Sequence, residues 1–109
     1  LKLKLFFDVV NETRGILLQE GSLPSLSICE SDNLKDKLTS LYKEYVSQEC
    51  LVPITRPFVY QYEGEICICY RVLLTIFPEW LRSGKVHNIT EILKRGPSDE
   101  IVNVIQSFR

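Results

Sequence analysis

The chain is short of most features that declare a function. It holds one histidine, five glycines, no long apolar run and no surplus of either charge. With His87 alone, and nothing in the sequence tying it to Cys50 or Ser27, there is no credible Ser-His-Asp or Cys-His arrangement for nucleophilic catalysis. Gly-x-Gly and P-loop patterns are absent, which removes the glycine loops that cradle phosphate. Thirteen Lys and Arg stand against 14 Asp and Glu, a formal net charge of -1. That balance excludes a broad electrostatic grip on nucleic acid or an anionic membrane, and leaves a local basic pocket open. The longest largely apolar stretch, LLTIF at 73–77, is far too short to span a bilayer. The start has no signal-peptide pattern, and internal repeats and low-complexity segments are missing. These absences point to a cytoplasmic or otherwise intracellular protein.

What is present is ordinary for a folded domain. At 109 residues, 45% hydrophobic and 25% charged, the chain reads as one domain over 1–109 with a single core, and not as a disordered tract. It begins at Leu1 and not at Met, so a processed chain or a domain of a larger protein is expected. Four cysteines occur: Cys29, Cys50, Cys67 and Cys69. Cys67 and Cys69 are two apart in a strand-like stretch and point to one face. A metal site with His87 is one reading. The spacing lacks the C-x2-C of zinc knuckles, and buried reduced thiols are the reading preferred. No metal ligand set is assigned. Two N-x-T triplets, at Asn11 and Asn88, are taken as chance matches to a glycosylation signal.

The pattern of apolar residues sets the elements. KLKLFFDVV, 2–10, alternates and then turns β-favouring; NETRG is a turn, and ILLQ at 16–19 is a second strand, giving a hairpin. EGSLPS, 20–25, is a loop. Asp32 or Asn33 caps a helix whose apolar stripe is Leu34, Leu38, Leu41, Tyr42 and Tyr45, ending near Ser47 to Glu49. Pro53 and Pro57 break structure. Strands follow over 57–64 and 65–77, joined by a tight Glu63-Gly64 turn, then a loop over 78–85. Asn88 to Glu91 fits a capping box for a short helix stopping at Gly96-Pro97, and Ser98 caps a last helix with Asp99 and Glu100 in its first turn. The order predicts an α/β (α+β) sandwich: a mixed sheet opening with a hairpin, with helices on both faces.

This order resembles the Nudix hydrolase family over most of the chain. FFDVVNETRGILLQEG is similar to its opening hairpin, LPSLSICESDNLKDKL to its loop and catalytic helix, KVHNITEILKRG to its late helix, and SDEIVNVIQSFR to its terminal helix. The resemblance implies a Nudix-like α/β/α sandwich. It also implies a box, G-x5-E-x7-R-E-U-x-E-E-x-G-U with U aliphatic, whose carboxylates hold Mg2+ against a diphosphate. Two registers are possible here. One starts at Leu23-Pro24, puts Asp32 at the first Glu and keeps only Asp32 and Glu44 as acids, with Leu41 in place of a carboxylate. The other keeps Lys43-Glu44 for R-E, but puts Lys35, Ser47 and Gln48 at metal-binding positions. Ser25 and Leu26 replace the loop glycines.

The resulting expectation is a non-catalytic Nudix-like domain that serves in binding or assembly. Its partner would be a protein, the rest of a parent protein or a nucleotide-type ligand, with a homodimer also possible. Aromatic side chains that could stack a base are Phe58, Tyr60, Tyr62 and Trp80. The strand aromatics are first read as packing, and Trp80, in a loop, is the better contact. Trp80, Arg82 and Lys85 form the candidate ligand-binding set. The alternative is a divergent Mg2+-dependent hydrolase using Asp32, Asp36 and Glu44 with Glu63 or Glu65. A further alternative is a nucleic-acid site gathering Arg56, Arg71, Arg82, Lys85, Lys94 and Arg95.

Overall fold

The computed structural model describes residues 1–47 and 56–108; Cys50 and Pro53 lie outside them. β1 (Lys2–Val10) is the middle of the sheet, and its alternation serves two cores. Leu3, Leu5, Phe7 and Val9 face one side, while Phe6 faces the other. β2 (Arg14–Leu18) returns antiparallel, with Val10 opposite Arg14. β3 (Ser25–Ser27) pairs antiparallel with Lys2–Lys4. The other edge of β1 is taken along its length by β5 (Glu65–Leu74), which runs parallel from Lys2 opposite Cys67 to Val9 opposite Leu74. β4 (Phe58–Tyr62) pairs antiparallel with β5. The turn between them holds Glu63 and Gly64 at φ 51 and 80, the twist that matches a two-residue hairpin. β6 (Lys85–Asn88) closes the far side against β2. The strand order is β4-β5-β1-β2-β6, with β3 beside β1.

Helices cover both faces. α1 (Leu34–Tyr45) sets Leu38, Leu41, Tyr42 and Tyr45 against the odd-numbered side of β1. α2 (Ile89–Lys94) and α3 (Asp99–Ser107) lay Ile89, Ile101, Val104 and Ile105 on Phe6, Ile16, Leu18 and Cys69 of the opposite side. The fully buried Phe6 and Phe7 therefore anchor opposite layers, each contributing about 1.5–3 kcal/mol by leaving water. The predicted mixed α/β class, hairpin start and two-sided helices are found. No helix among the described residues is long and apolar enough to cross a membrane.

Several boundaries move for identifiable reasons. Asn33, not Asp32, caps α1: its side chain accepts from the Asp36 amide at 3.2 Å. The helix stops at Tyr45, short of the expected Ser47 to Glu49, because Val46 turns extended and is wholly buried, bridging to Leu81. β4 covers 58–62 of the expected 57–64. β5 ends at Leu74 and not at Phe77, since the Ile76 backbone bonds to the Asn11 side chain, Asn11 Nδ2 donating at 2.8 Å and Oδ1 accepting at 3.2 Å. A 3-10 turn at Pro78–Trp80 lies in the expected loop over 78–85, and two unexpected strands, β3 and β6, begin at the last residues of the expected loops and run on past them. Asn88 and Ser98 are the cap residues of α2 and α3, as read: Asn88 accepts from the Glu91 amide, which is one half of the expected capping box, and Ser98 from that of Ile101.

Candidate functional site

The acids of the α1 region do not gather. Asp32 closes its own turn, its Oδ2 accepting from the Cys29 amide at 2.8 Å. Asp36 is exposed in the first turn of α1, where it favours the helix dipole, and Glu44 is exposed near the other end. Within α1, Asp36 to Glu44 is eight residues, about 12 Å at helical rise. Leu41, which stands where one register needs a carboxylate, is buried against the sheet. Ser25 and Leu26 are committed to the β3–β1 ladder. Glu63 and Glu65 line a cavity on the α3 face, the side of the sheet opposite α1. Among the described residues, no three His, Cys, Asp or Glu side chains converge so as to hold a metal ion.

Trp80, Arg82 and Lys85 are also separated. Trp80 is half-buried against the α1-face core, edge-on to Phe77 at 4.6 Å, and its carbonyl accepts from the Ser47 amide at 2.8 Å. Arg82 reaches the Lys43 carbonyl at the end of α1. Lys85 pairs with Leu18, whose side chain belongs to the α3-face core, so it points to the other side of the sheet from Trp80. It lines a shallow depression with Gln19, Gly84 and His87. Of the strand aromatics, Phe58 and Tyr60 stack on each other at 5.0 Å beneath α3, with Phe108 edge-on to Phe58 at 6.4 Å. They are packing residues. Arg71 is bound to Asp8, which removes it from any basic patch.

Among the described residues, a polar site that the sequence reading does not contain lies on the α3 face. A cavity of about 310 Å³ opens between the start of β1, the β4–β5 turn, the chain at 21–25 and the N-terminus of α3. Its inner wall is a buried polar network. Lys4 and Glu100 are 8% and 4% exposed, and Lys4 Nζ donates to Glu100 Oε2 at 2.5 Å. The Tyr60 hydroxyl donates to the same oxygen at 3.0 Å. Lys4 also sits over the Tyr62 ring, 5.0 Å from its centroid, a cation–π contact. Burial, and then the nearby Cys69 and Glu100, push the Tyr60 hydroxyl well above its ordinary range, so it stays a donor. Cys67 lines the cavity; burial raises its thiol and outweighs the opposing charge of Lys4, which disfavours the thiolate. Cys69 beneath it is pushed up to about 12, chiefly by burial. Both are free thiols.

The signal in the sequence was faint. The alternation KLKLF puts Lys2 and Lys4 on the face of Phe6, and if both faces of the strand are covered, a lysine there needs a buried partner. Nothing local names Glu100, 96 residues away, as that partner.

A second buried charge lies further along β1 on the same face. Asp8 is fully buried and accepts from Arg14, at 3.0 and 2.7 Å, and from Arg71, at 2.9 and 2.6 Å. Burial alone would raise its carboxyl; the hydrogen bonds and charges of the two arginines outweigh that and hold it below the ordinary 3.8. Both arginines remain partly open to solvent. No family model matches the chain, and none of the curated proteins matches it.

Proposed function

We propose that the chain is a non-catalytic binding module on a Nudix-like frame, with its ligand seat in the cavity bounded by β1, the β4–β5 turn and α3. The reading of the frame is supported by the order of elements: an opening hairpin, an LP loop into α1, and a terminal helix on the other face. One observation carries the non-catalytic part: Asp32 is spent on the turn before α1, and Asp36 and Glu44 are exposed near opposite ends of the helix. A magnesium-assisted displacement needs carboxylate oxygens converging on one point, and these do not converge. The cavity, by contrast, has buried charged groups held by several bonds, the preorganisation that a binding site requires.

The test is a calorimetric titration with Mg2+ or Mn2+, alone and with a nucleoside-diphosphate mixture. The expected result is no metal-dependent heat, no turnover, and no change on Asp32→Ala or Glu44→Ala. Metal uptake that requires the nucleotide and is lost in either variant would replace this reading with the hydrolase. An assembly role has an observation of its own. Val59 and Ile66, 56% and 54% exposed, lie together on the face of β4 and β5 that α1 leaves open, a place for a protein partner or a parent domain.

A further inference from the structure

We infer that the cavity takes a small zwitterion, a molecule of amino-acid size carrying one ammonium and one carboxylate. This rests on the binding-module reading and names its ligand class. Size is the first constraint: about 310 Å³ is at the lower end of ligand pockets, which run from roughly 300 to 1,000 Å³. Charge is the second. The walls carry both signs, Lys2 and Lys4 from β1 against Glu63, Glu65 and Glu100. Lys4 is already committed, to Glu100 and to the Tyr62 ring. Lys2, half-buried at the cavity wall, is left to meet an anion.

The third constraint is Glu100. Both of its hydrogen bonds, from Lys4 and from Tyr60, fall on Oε2. Oε1 receives neither, and the side chain, 4% exposed, lines the cavity. Oε1 is left to accept from a ligand ammonium, with Glu65, whose carboxylate lies 3.9 Å from the Leu1 ammonium, as a second acceptor. The ligand carboxylate then falls to Lys2 and the cavity hydroxyls of Ser22, Ser25 and Ser98. A polyanion is disfavoured, because three carboxylates outnumber two lysines and Lys4 is neutralised by Glu100. A purely cationic ligand is opposed by Lys2, and an apolar one finds few apolar atoms to cover.

The experiment is a nuclear magnetic resonance titration of the 15N-labelled chain, following the amides of Tyr62, Cys67 and Glu100. The probes are a pool of the common L-α-amino acids, then each singly, with propylamine, propionate and ADP as controls of one charge type. The expected result is saturable shifts with one or more amino acids, at least about tenfold tighter than with propylamine or propionate, as one lost charge-assisted contact implies. Lys2→Met and Glu65→Gln, both away from the buried pair, should each weaken binding by about tenfold while the spectrum stays dispersed. If ADP or propionate binds as tightly as any amino acid, the zwitterion is wrong and the binding module stands. If propylamine binds as tightly, the site is cationic and the zwitterion is again wrong. If no probe moves these amides, the network is only a brace for α3, and both the ligand class and the cavity as a binding seat fall.

Discussion

Removing the Asp8 carboxylate would strand two guanidinium groups at once. Breaking a fully buried pair costs about 3–5 kcal/mol; here both arginines touch solvent, so Asp8→Asn should cost less, about 2–3 kcal/mol in urea unfolding. The same carboxyl sets an acid limb. Its folded pKa lies below 3.8, so near and below that pH the unfolded chain binds the proton first. The stabilisation is complete well above 3.8 and is lost as pH falls through the folded value. Asp8→Asn should flatten that part of the stability profile. Thiols give a second check at this scale. In a Cys50→Ser background, Cys29 is exposed and should alkylate readily, whereas Cys67 and Cys69 should resist until the chain unfolds. For Cys69, a thiol pushed up to about 12 carries on the order of 10³-fold less thiolate than an ordinary one. Equal labelling of all three in the native state would contradict the packing described. Single residues were also the hardest part to read in advance. Glu100 looked like a first-turn acid serving the α3 dipole, yet it is turned inward to Lys4. Only the tertiary fold decides between those two uses.

Elements were legible where a local signal existed. The stripe of α1 is a helical repeat that the core satisfies at Leu38, Leu41, Tyr42 and Tyr45, while Leu34, expected in it, stays exposed in the first turn; the caps at Asn88 and Ser98 are short-range chemistry. Asn33→Ala should therefore cost about 1 kcal/mol, and Asp36→Ala less than about 0.5, by thermal unfolding. β3 and β6 were missed because they have three and four residues, too few for a period, and are held by ladders to β1 and β2. The candidate trio failed to assemble for a related reason. Trp80 and Lys85 are only five residues apart, but Lys85 opens β6, whose register against β2 sets it beside Leu18 on the far face. Gly15 shows how tightly that ladder is fitted: a Cβ there would lie 2.7 Å from Val86 Cγ1 and 3.2 Å from the His87 carbonyl. Gly15→Ala should cost about 1–3 kcal/mol, with the amide signals of β6 moving most. An unchanged melting temperature would show that the ladder gives way freely.

At the scale of the whole molecule, the layered plan was readable from the order of elements, and the place of the polar cavity was not, since it joins the first strand to the last helix. That junction makes the C-terminal helix indispensable. Truncation before Ser98 should uncover Phe6, Leu18 and Cys69 and leave Lys4 buried without its carboxylate. The expected product has broad unfolding, dye-binding apolar surface and weak near-ultraviolet dichroism. A sharp, cooperative melt in the truncated chain would disprove it. The parallel pairing of β1 with β5 has a further consequence in time. Lys2 is opposite Cys67, so when a ribosome makes this chain the central strand waits more than sixty residues for its longest partner. At about 5–20 residues per second, that is roughly 3–13 s. During that interval, β2, β3 and α1 are available to β1, and the row of backbone N–H and C=O groups that β5 will pair stands open as a template for any other strand that meets it.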